Sequence, residues 1–90
     1  MALAEPIVFF NGELKPESQV GISIRDRGYL YGDAVFDAAR TFNGTPFRLP
    51  EHVHRLYDSL RYLRIGPGME PPEMEDWSRQ VVEHNYKLLP

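Results

Sequence analysis

Ile7-Val8-Phe9-Phe10 is a short β-rich run that stops at Asn11-Gly12, a pair tolerant of the positive φ values of tight hairpin turns, and Glu13-Leu14-Lys15 returns from it. A first hairpin is expected. After the polar connection Pro16-Glu17-Ser18-Gln19, the apolar Val20, Ile22 and Ile24 alternate with small residues as a half-buried strand should. Arg25-Asp26-Arg27-Gly28 breaks that pattern. Residues 29–32 are short, aromatic and bracketed by Gly28 and Gly32, which suggests a turn of helix or a structured loop. Period two resumes over residues 34–42, and Asn43-Gly44 supplies a second hairpin turn ahead of Pro46-Phe47-Arg48-Leu49. In an extended strand Phe36, Ala38, Arg40 and Phe42 share one face, and Val35, Asp37, Ala39 and Thr41 the other. An arginine between two phenylalanines is an odd core residue.

Helical spacing takes over after Pro50. The proline suits a first helical position, Glu51 favours the positive end, Arg61 and Arg64 favour the other, and Gly66 can act as the stop. Val53, Leu56, Leu60 and Leu63 recur at spacings of three and four, an apolar stripe that docks a helix onto a sheet. Gly66-Pro67-Gly68 breaks the chain. Pro71-Pro72-Glu73 with Glu75 and Asp76 then opens a second helix with Met74, Trp77 and Val81 on its inner stripe. Antiparallel hairpin strands followed by two helices packed on the sheet make the expected fold class α+β.

Composition narrows the function classes. Ninety residues with a net charge of -3 describe one small domain, with a small core and no deep cleft expected. No cysteine is present, which removes disulfides, thiolate metal sites and cysteine nucleophiles. Mild acidity argues against a nucleic-acid partner, which calls for Lys and Arg gathered on one face. The longest apolar run, residues 7–10, is far short of the roughly 20 residues of a membrane span. Residues 1–10 lack a basic leader, and Glu5 and Pro6 interrupt any signal-peptide core, so a cytoplasmic location is expected. Only two lysines occur, Lys15 and Lys87.

Candidate chemistry is sparse. His52 and His54 sit beside Glu51, but residues two apart on a helix point to different sides, so no metal site is expected there. His84, three residues after Val81, reads as a boundary residue. No serine has the flanking glycines of a nucleophile elbow, and Gly66-Pro67-Gly68 is no dinucleotide loop. Arg55 lies on the flank of the docking stripe, where its guanidinium can either hold a phosphate through two parallel hydrogen bonds or pair with Glu51 at i,i+4. Arg40 has a similar choice between an acidic neighbour and a bound carboxylate. Tyr29, Tyr31 and Phe36 are either core or pocket wall.

Four runs together carry a resemblance. They are Asn11-Gly12-Glu13; residues 25–37, Arg-Asp-Arg-Gly-Tyr-Leu-Tyr-Gly-Asp-Ala-Val-Phe-Asp; Arg40-Thr41-Phe42-Asn43-Gly44; and Phe47-Arg48-Leu49-Pro50-Glu51-His52-Val53-His54-Arg55-Leu56. In this order, over nearly the whole chain, they resemble the N-terminal part of class IV pyridoxal-phosphate aminotransferases. That family includes branched-chain and D-amino acid aminotransferases and aminodeoxychorismate lyases. The resemblance implies that residues 1–90 are the small α+β domain beside a larger one, with pyridoxal 5'-phosphate in the cleft between them and a homodimer completing each site. It places the family's phosphate-binding arginine at Arg55. It puts Tyr31, Phe36 and Arg40 around the substrates, an amino acid and a 2-oxo acid, with Tyr31 reaching the neighbouring subunit. Asp37 and Ala38 replace the Glu-Gly usual in branched-chain members. D-amino acid enzymes tend to have tyrosine and lysine where this chain has Phe36 and Arg40, which ranks a branched-chain substrate first.

The family's catalytic lysine lies in the large domain, and neither Lys15 nor Lys87 matches its position. No catalytic residue is therefore expected in this chain, and the piece alone is expected to be inactive. The close of the sequence at Leu88-Leu89-Pro90 resembles a truncation more than a natural terminus. The alternatives are a lyase of the aminodeoxychorismate type on the same scaffold, and a non-catalytic interaction module.

Overall fold

Two asparagine–glycine pairs set both hairpins. In the computed structural model, which describes residues 5–89, Asn11 and Gly12 take φ of 49° and 86°, and Asn43 and Gly44 take 53° and 79°. Consecutive left-handed residues give the turn whose twist matches that of two paired strands. Strand β1 (Ile7–Phe10) accordingly pairs antiparallel with β2 (Glu13–Pro16), with Phe9 opposite Leu14. Strand β3 (Thr41–Phe42) pairs with β4 (Thr45–Pro46) in the same sense. The two ladders are separate sheets. The leader-free reading of residues 1–4 and the chain end at Pro90 lie outside the described residues.

Helix α1 (Arg27–Tyr31) follows the first hairpin: of the two readings of residues 29–32, the turn of helix is the one observed, and it starts ahead of Gly28. Helix α2 (Leu49–Leu63) then carries Pro50 in its first turn, with Glu51 there and Arg61 in its last. It ends earlier than Gly66 suggested. Arg64 takes the left-handed cap at φ 59°, and Ile65 N–H donates to Leu60 O at 2.9 Å. This pairing turns Ile65 back onto the helix, where its side chain packs against the core. An apolar contact thus outweighs the preference for glycine at the cap.

The buried residues of α2 are Leu49, Val53, Tyr57 and Leu60. The expected stripe of Val53, Leu56, Leu60 and Leu63 is therefore rotated: Leu56 is half-buried on its flank and Leu63 is exposed. Tyr57 takes the central place because its hydroxyl donates to Met69 O at 2.7 Å, which gives the polar tip a partner while the ring is buried. Burial, then the charges of Glu70 and Glu73, push the Tyr57 phenol up from its ordinary value.

Helix α3 (Pro71–Tyr86) touches both hairpins and α2. Met74, Trp77 and Val81 are half-buried as expected of its inner stripe. Trp77 stacks on Phe9 at 4.7 Å between ring centroids. The Asn85 side chain accepts from Ile7 N–H at 2.8 Å and donates to Ile7 O at 2.9 Å, which pins the first strand. The Tyr86 ring lies over Gly44, where a Cβ would come within 2.9 Å of it, so that turn needs glycine twice over. The result is the α+β arrangement of hairpins and packed helices, only 19 Å through its thinnest axis, room for two layers. No helix among the described residues is long and apolar enough to cross a membrane.

Two expected strands are absent. Among the described residues neither 20–24 nor 34–40 joins a ladder. Alternation sorts side chains between two faces, but a strand also needs a neighbour to take its N–H and C=O groups. In the first segment Ile22 and Ile24 stand 68% and 77% exposed. In the second the alternation survives over residues 35–38, with Val35 and Asp37 half-buried and Phe36 and Ala38 exposed, and is lost at Ala39, which is exposed as well.

Replacing Asn85 with Ala leaves the N–H and C=O of Ile7 without their partners, each bond being worth about 0.5–1.5 kcal/mol. Amide exchange at Ile7 is expected to quicken about tenfold or more, with a smaller change at Val53 in α2. Unchanged protection of Ile7 would show that Asn85 is not the anchor.

Candidate functional site

Helix α2 places His52 and Arg55 three residues apart, hence on one face. The segment after α1 brings Asp37 to that face. Arg55 Nε donates to Asp37 Oδ2 at 2.7 Å, and Arg55 Nη2 donates to Asp37 Oδ1 at 2.8 Å, a bidentate pair. His52 Nδ1 lies 2.8 Å from Asp37 Oδ1. The two sides of the pair differ in exposure: the Asp37 side chain is 12% exposed and that of Arg55 65%. Beneath Asp37 and His52 lies an apolar hollow of about 250 Å³ floored by Leu49, Val53 and Leu56. The anticipated alternative, an Arg55–Glu51 pair, does not form, because Asp37 takes the guanidinium.

Electrostatics fix the protonation of this cluster. The hydrogen bond from Arg55, then that from His52, hold the Asp37 carboxyl well below the ordinary carboxylate value, against a smaller effect of burial in the other direction. The same bond raises the Arg55 guanidinium further. An ionised carboxylate only accepts, so His52 Nδ1 must carry its proton and donate to Asp37. The 3.2 Å approach of Arg55 Nη2 to His52 Nδ1 then brings two donors together and is not a hydrogen bond.

Guanidinium geometry leaves a free edge. Of the five N–H groups of arginine, Asp37 occupies Nε–H and one Nη2–H. Both Nη1 protons and the second Nη2 proton remain, and no described hydrogen bond uses Nη1. Arg55 also lines a hollow of about 310 Å³ together with Val35, Asp58, Ser59, Tyr62 and Leu63. Asp58 is paired with Arg61. The Nη1/Nη2 fork is suited to a bidentate oxyanion.

The other sequence candidates lie apart from this cluster. Tyr31 ends α1, a single turn held at its start by Asp26, whose carboxylate accepts from Gly28 N–H at 2.9 Å and Tyr29 N–H at 3.2 Å. Gly32 closes the turn in the left-handed region at φ 72°. Arg27 reaches over the Tyr31 ring, 5.2 Å from its centroid, while its Nε donates to Asp33 Oδ2 at 2.8 Å. Phe36 is 89% exposed. Arg40 is exposed, its carbonyl accepting from Phe47 N–H at 2.7 Å at the base of the second hairpin. No described ion pair uses its guanidinium, and none of Tyr31, Phe36 and Arg40 lines the hollow beside Arg55. His52 and His54 take different carboxylates, Asp37 and Asp58, as their opposite directions on the helix require.

Asp37 and His52 are the site residues that sequence reasoning missed. The signal available was weak: the alternation put Asp37 on the face of Val35, which turns inward. No spacing rule connects a helix residue to one eighteen positions earlier in an irregular segment.

Similarity to known proteins converges on one group. The profile of the family described as amino-transferase class IV matches residues 34–88. A putative branched-chain-amino-acid aminotransferase of Methanocaldococcus jannaschii is 41% identical over 78 residues, covering 87% of this chain and 27% of that protein. D-alanine aminotransferases of Bacillus licheniformis and Staphylococcus aureus are 36% and 32% identical over 80 and 78 residues, covering 89% and 87% of this chain and 28% of each of those proteins. The chain thus spans a little over a quarter of the length of these relatives.

The lowered Asp37 value has a consequence for stability. A carboxyl depressed on folding contributes stability above its unfolded value, near 3.8, and that contribution is lost as pH falls through the folded value. The stability gap between the parent chain and Asp37→Asn is therefore expected to narrow as the pH falls below about 4. Urea unfolding at each pH measures it; a gap that widens in acid contradicts the assignment.

Proposed function

Because the chain belongs to the class IV aminotransferase family, we propose that it forms the N-terminal small domain of an enzyme that moves an amino group between a branched-chain amino acid and a 2-oxo acid. The family's cofactor is pyridoxal phosphate. The observation that carries the reading is the Arg55 guanidinium, gripped along one edge by Asp37 and open along the other. That donor set fits a phosphate monoester, which accepts two parallel N–H bonds from such a fork. Arg55 is the residue in this chain that would hold the cofactor's phosphate.

When bound, the cofactor supplies an electron sink for the substrate carbon that loses its proton. This chain's residues bind and orient around it. Arg55 holds the phosphate end, while Phe36 and Arg40 form part of the substrate wall and Tyr31 reaches into the site of a neighbouring subunit. Their exposure here accords with walls completed by further protein. The amine needed to hold the cofactor and carry the proton has no counterpart here: Lys15 belongs to β2 and Lys87 caps α3, and neither borders Arg55's hollow. The 90 residues alone are therefore expected not to transaminate.

Support for a branched-chain substrate comes from Phe36 and Arg40 and from the 41% identity to the Methanocaldococcus protein. The D-alanine aminotransferases favour a second reading, a D-amino acid donor. Glutamate formation from 2-oxoglutarate with leucine, compared with D-alanine, separates the two in the full-length protein; turnover of D-alanine alone overturns the first.

Arg55→Ala in the full-length protein is expected to weaken pyridoxal phosphate binding about a hundredfold, as loss of two charge-assisted bonds implies. Equilibrium dialysis measures it, and unchanged affinity removes Arg55 from the cofactor site. For the isolated 90 residues, supplying cofactor, amino acid and oxo acid is expected to give no transfer; lysine-dependent turnover would refute the division of labour.

A further inference from the structure

We propose that Asp37, steadied by His52, is a positioning residue for Arg55, holding its guanidinium so that the Nη1/Nη2 edge alone is presented to a phosphate. The proposal rests on Arg55 being the phosphate ligand. Its grounds are geometric. An arginine on the flank of a helix has four side-chain torsions and two hydrogen-bonding edges, so on its own it samples many directions. Asp37 removes that choice: two bonds of 2.7 and 2.8 Å fix the plane and the direction of the guanidinium at once.

His52 performs the same service one step back. Its Nδ1–H donates to Asp37 Oδ1 at 2.8 Å, so that oxygen holds one proton from each of two α2 side chains, while Oδ2 receives the Arg55 Nε proton. Both donors stand on one rigid helix, and together they supply all three of the hydrogen bonds described for the carboxylate. The carboxylate is thus confined, and it confines Arg55.

Charge makes the opposite outcome possible. Asp37 neutralises the arginine, so it could compete with a phosphate for the guanidinium instead of preparing it. The two roles differ in the sign of the effect on binding. Positioning predicts weaker binding without the carboxylate, and competition predicts tighter binding.

The test uses the full-length protein stripped of cofactor, with pyridoxal phosphate and pyridoxal, which lacks the phosphate, as paired probes. Asp37→Asn, Asp37→Glu, Arg55→Ala and the double variant Asp37→Asn/Arg55→Ala are compared by equilibrium dialysis and by the phosphorus NMR shift of the bound phosphate. Asp37→Asn is expected to weaken pyridoxal phosphate about tenfold, leave pyridoxal unchanged and move the phosphorus signal. Asp37→Glu should recover most of the affinity. In the Arg55→Ala background, Asp37→Asn should change the affinity by less than about twofold, the signature of one residue acting through the other. Equal weakening of both probes, an undiminished effect in that background, or tighter phosphate binding each overturns positioning. Weakening by Arg55→Ala with none by Asp37→Asn overturns positioning while sparing the Arg55 reading, whereas no effect of Arg55→Ala removes the reading itself.

Discussion

The carboxylate of Asp37 is the join on which the site side of this domain depends. Residues 34–40 have no strand beside them among the described residues; backbone bonds hold the two ends, Ala34 N–H to Gly32 O and Phe47 N–H to Arg40 O, and side chains hold the middle. Val35 supplies an apolar contact with the α2 core, and two residues later Asp37 accepts three N–H bonds from α2 side chains. The alternation of the segment lets both face α2 while Phe36 between them faces away. An extended segment thus becomes a fixed one through two side chains.

Helix α3 does the corresponding work on the other side. The two hairpins share no ladder, and each is too small to be stable alone. Trp77 and Asn85 hold the first, Tyr86 packs on Gly44 of the second, and Met74 joins the core of α2. One helix therefore sets where both hairpins lie, Trp77 and Tyr86 reaching them from different sides of it. Because the second hairpin continues directly from residues 34–40, α3 also fixes the far end of the segment that carries Asp37.

Local chemistry was the legible part of this fold. Asn11-Gly12 and Asn43-Gly44 announced turns whose φ values only such residues tolerate easily, and Pro50 and Pro71 announced helix starts. Most of the misreadings share a cause, since they depended on a partner outside the local pattern. Residues 20–24 and 34–40 have strand alternation but no neighbour. Tyr57 displaced Leu63 from the core because Met69 O, in the next connection, could receive its hydroxyl. Arg64 rather than Gly66 capped α2 because Ile65 had apolar surface to cover. Arg55 was a candidate from its motif, but its partner was not, since Asp37 is related to it only through the fold.

The unequal exposure of the Arg55–Asp37 pair bears on why it is built this way. Exposed ion pairs add little stability, because water solvates both charges and long side chains lose freedom when they pair. Here the carboxylate is mostly covered while the guanidinium is mostly in solvent, so the two partners do not stand in the same position. The covered acceptor needs its donors, for a buried charge left without partners is costly. Arg55 is under no such need and keeps one donor edge toward solvent. The asymmetry makes Asp37 the dependent member for folding and leaves Arg55 as the member with binding capacity to spare, which is the order of roles an anion site on the rim of a domain requires.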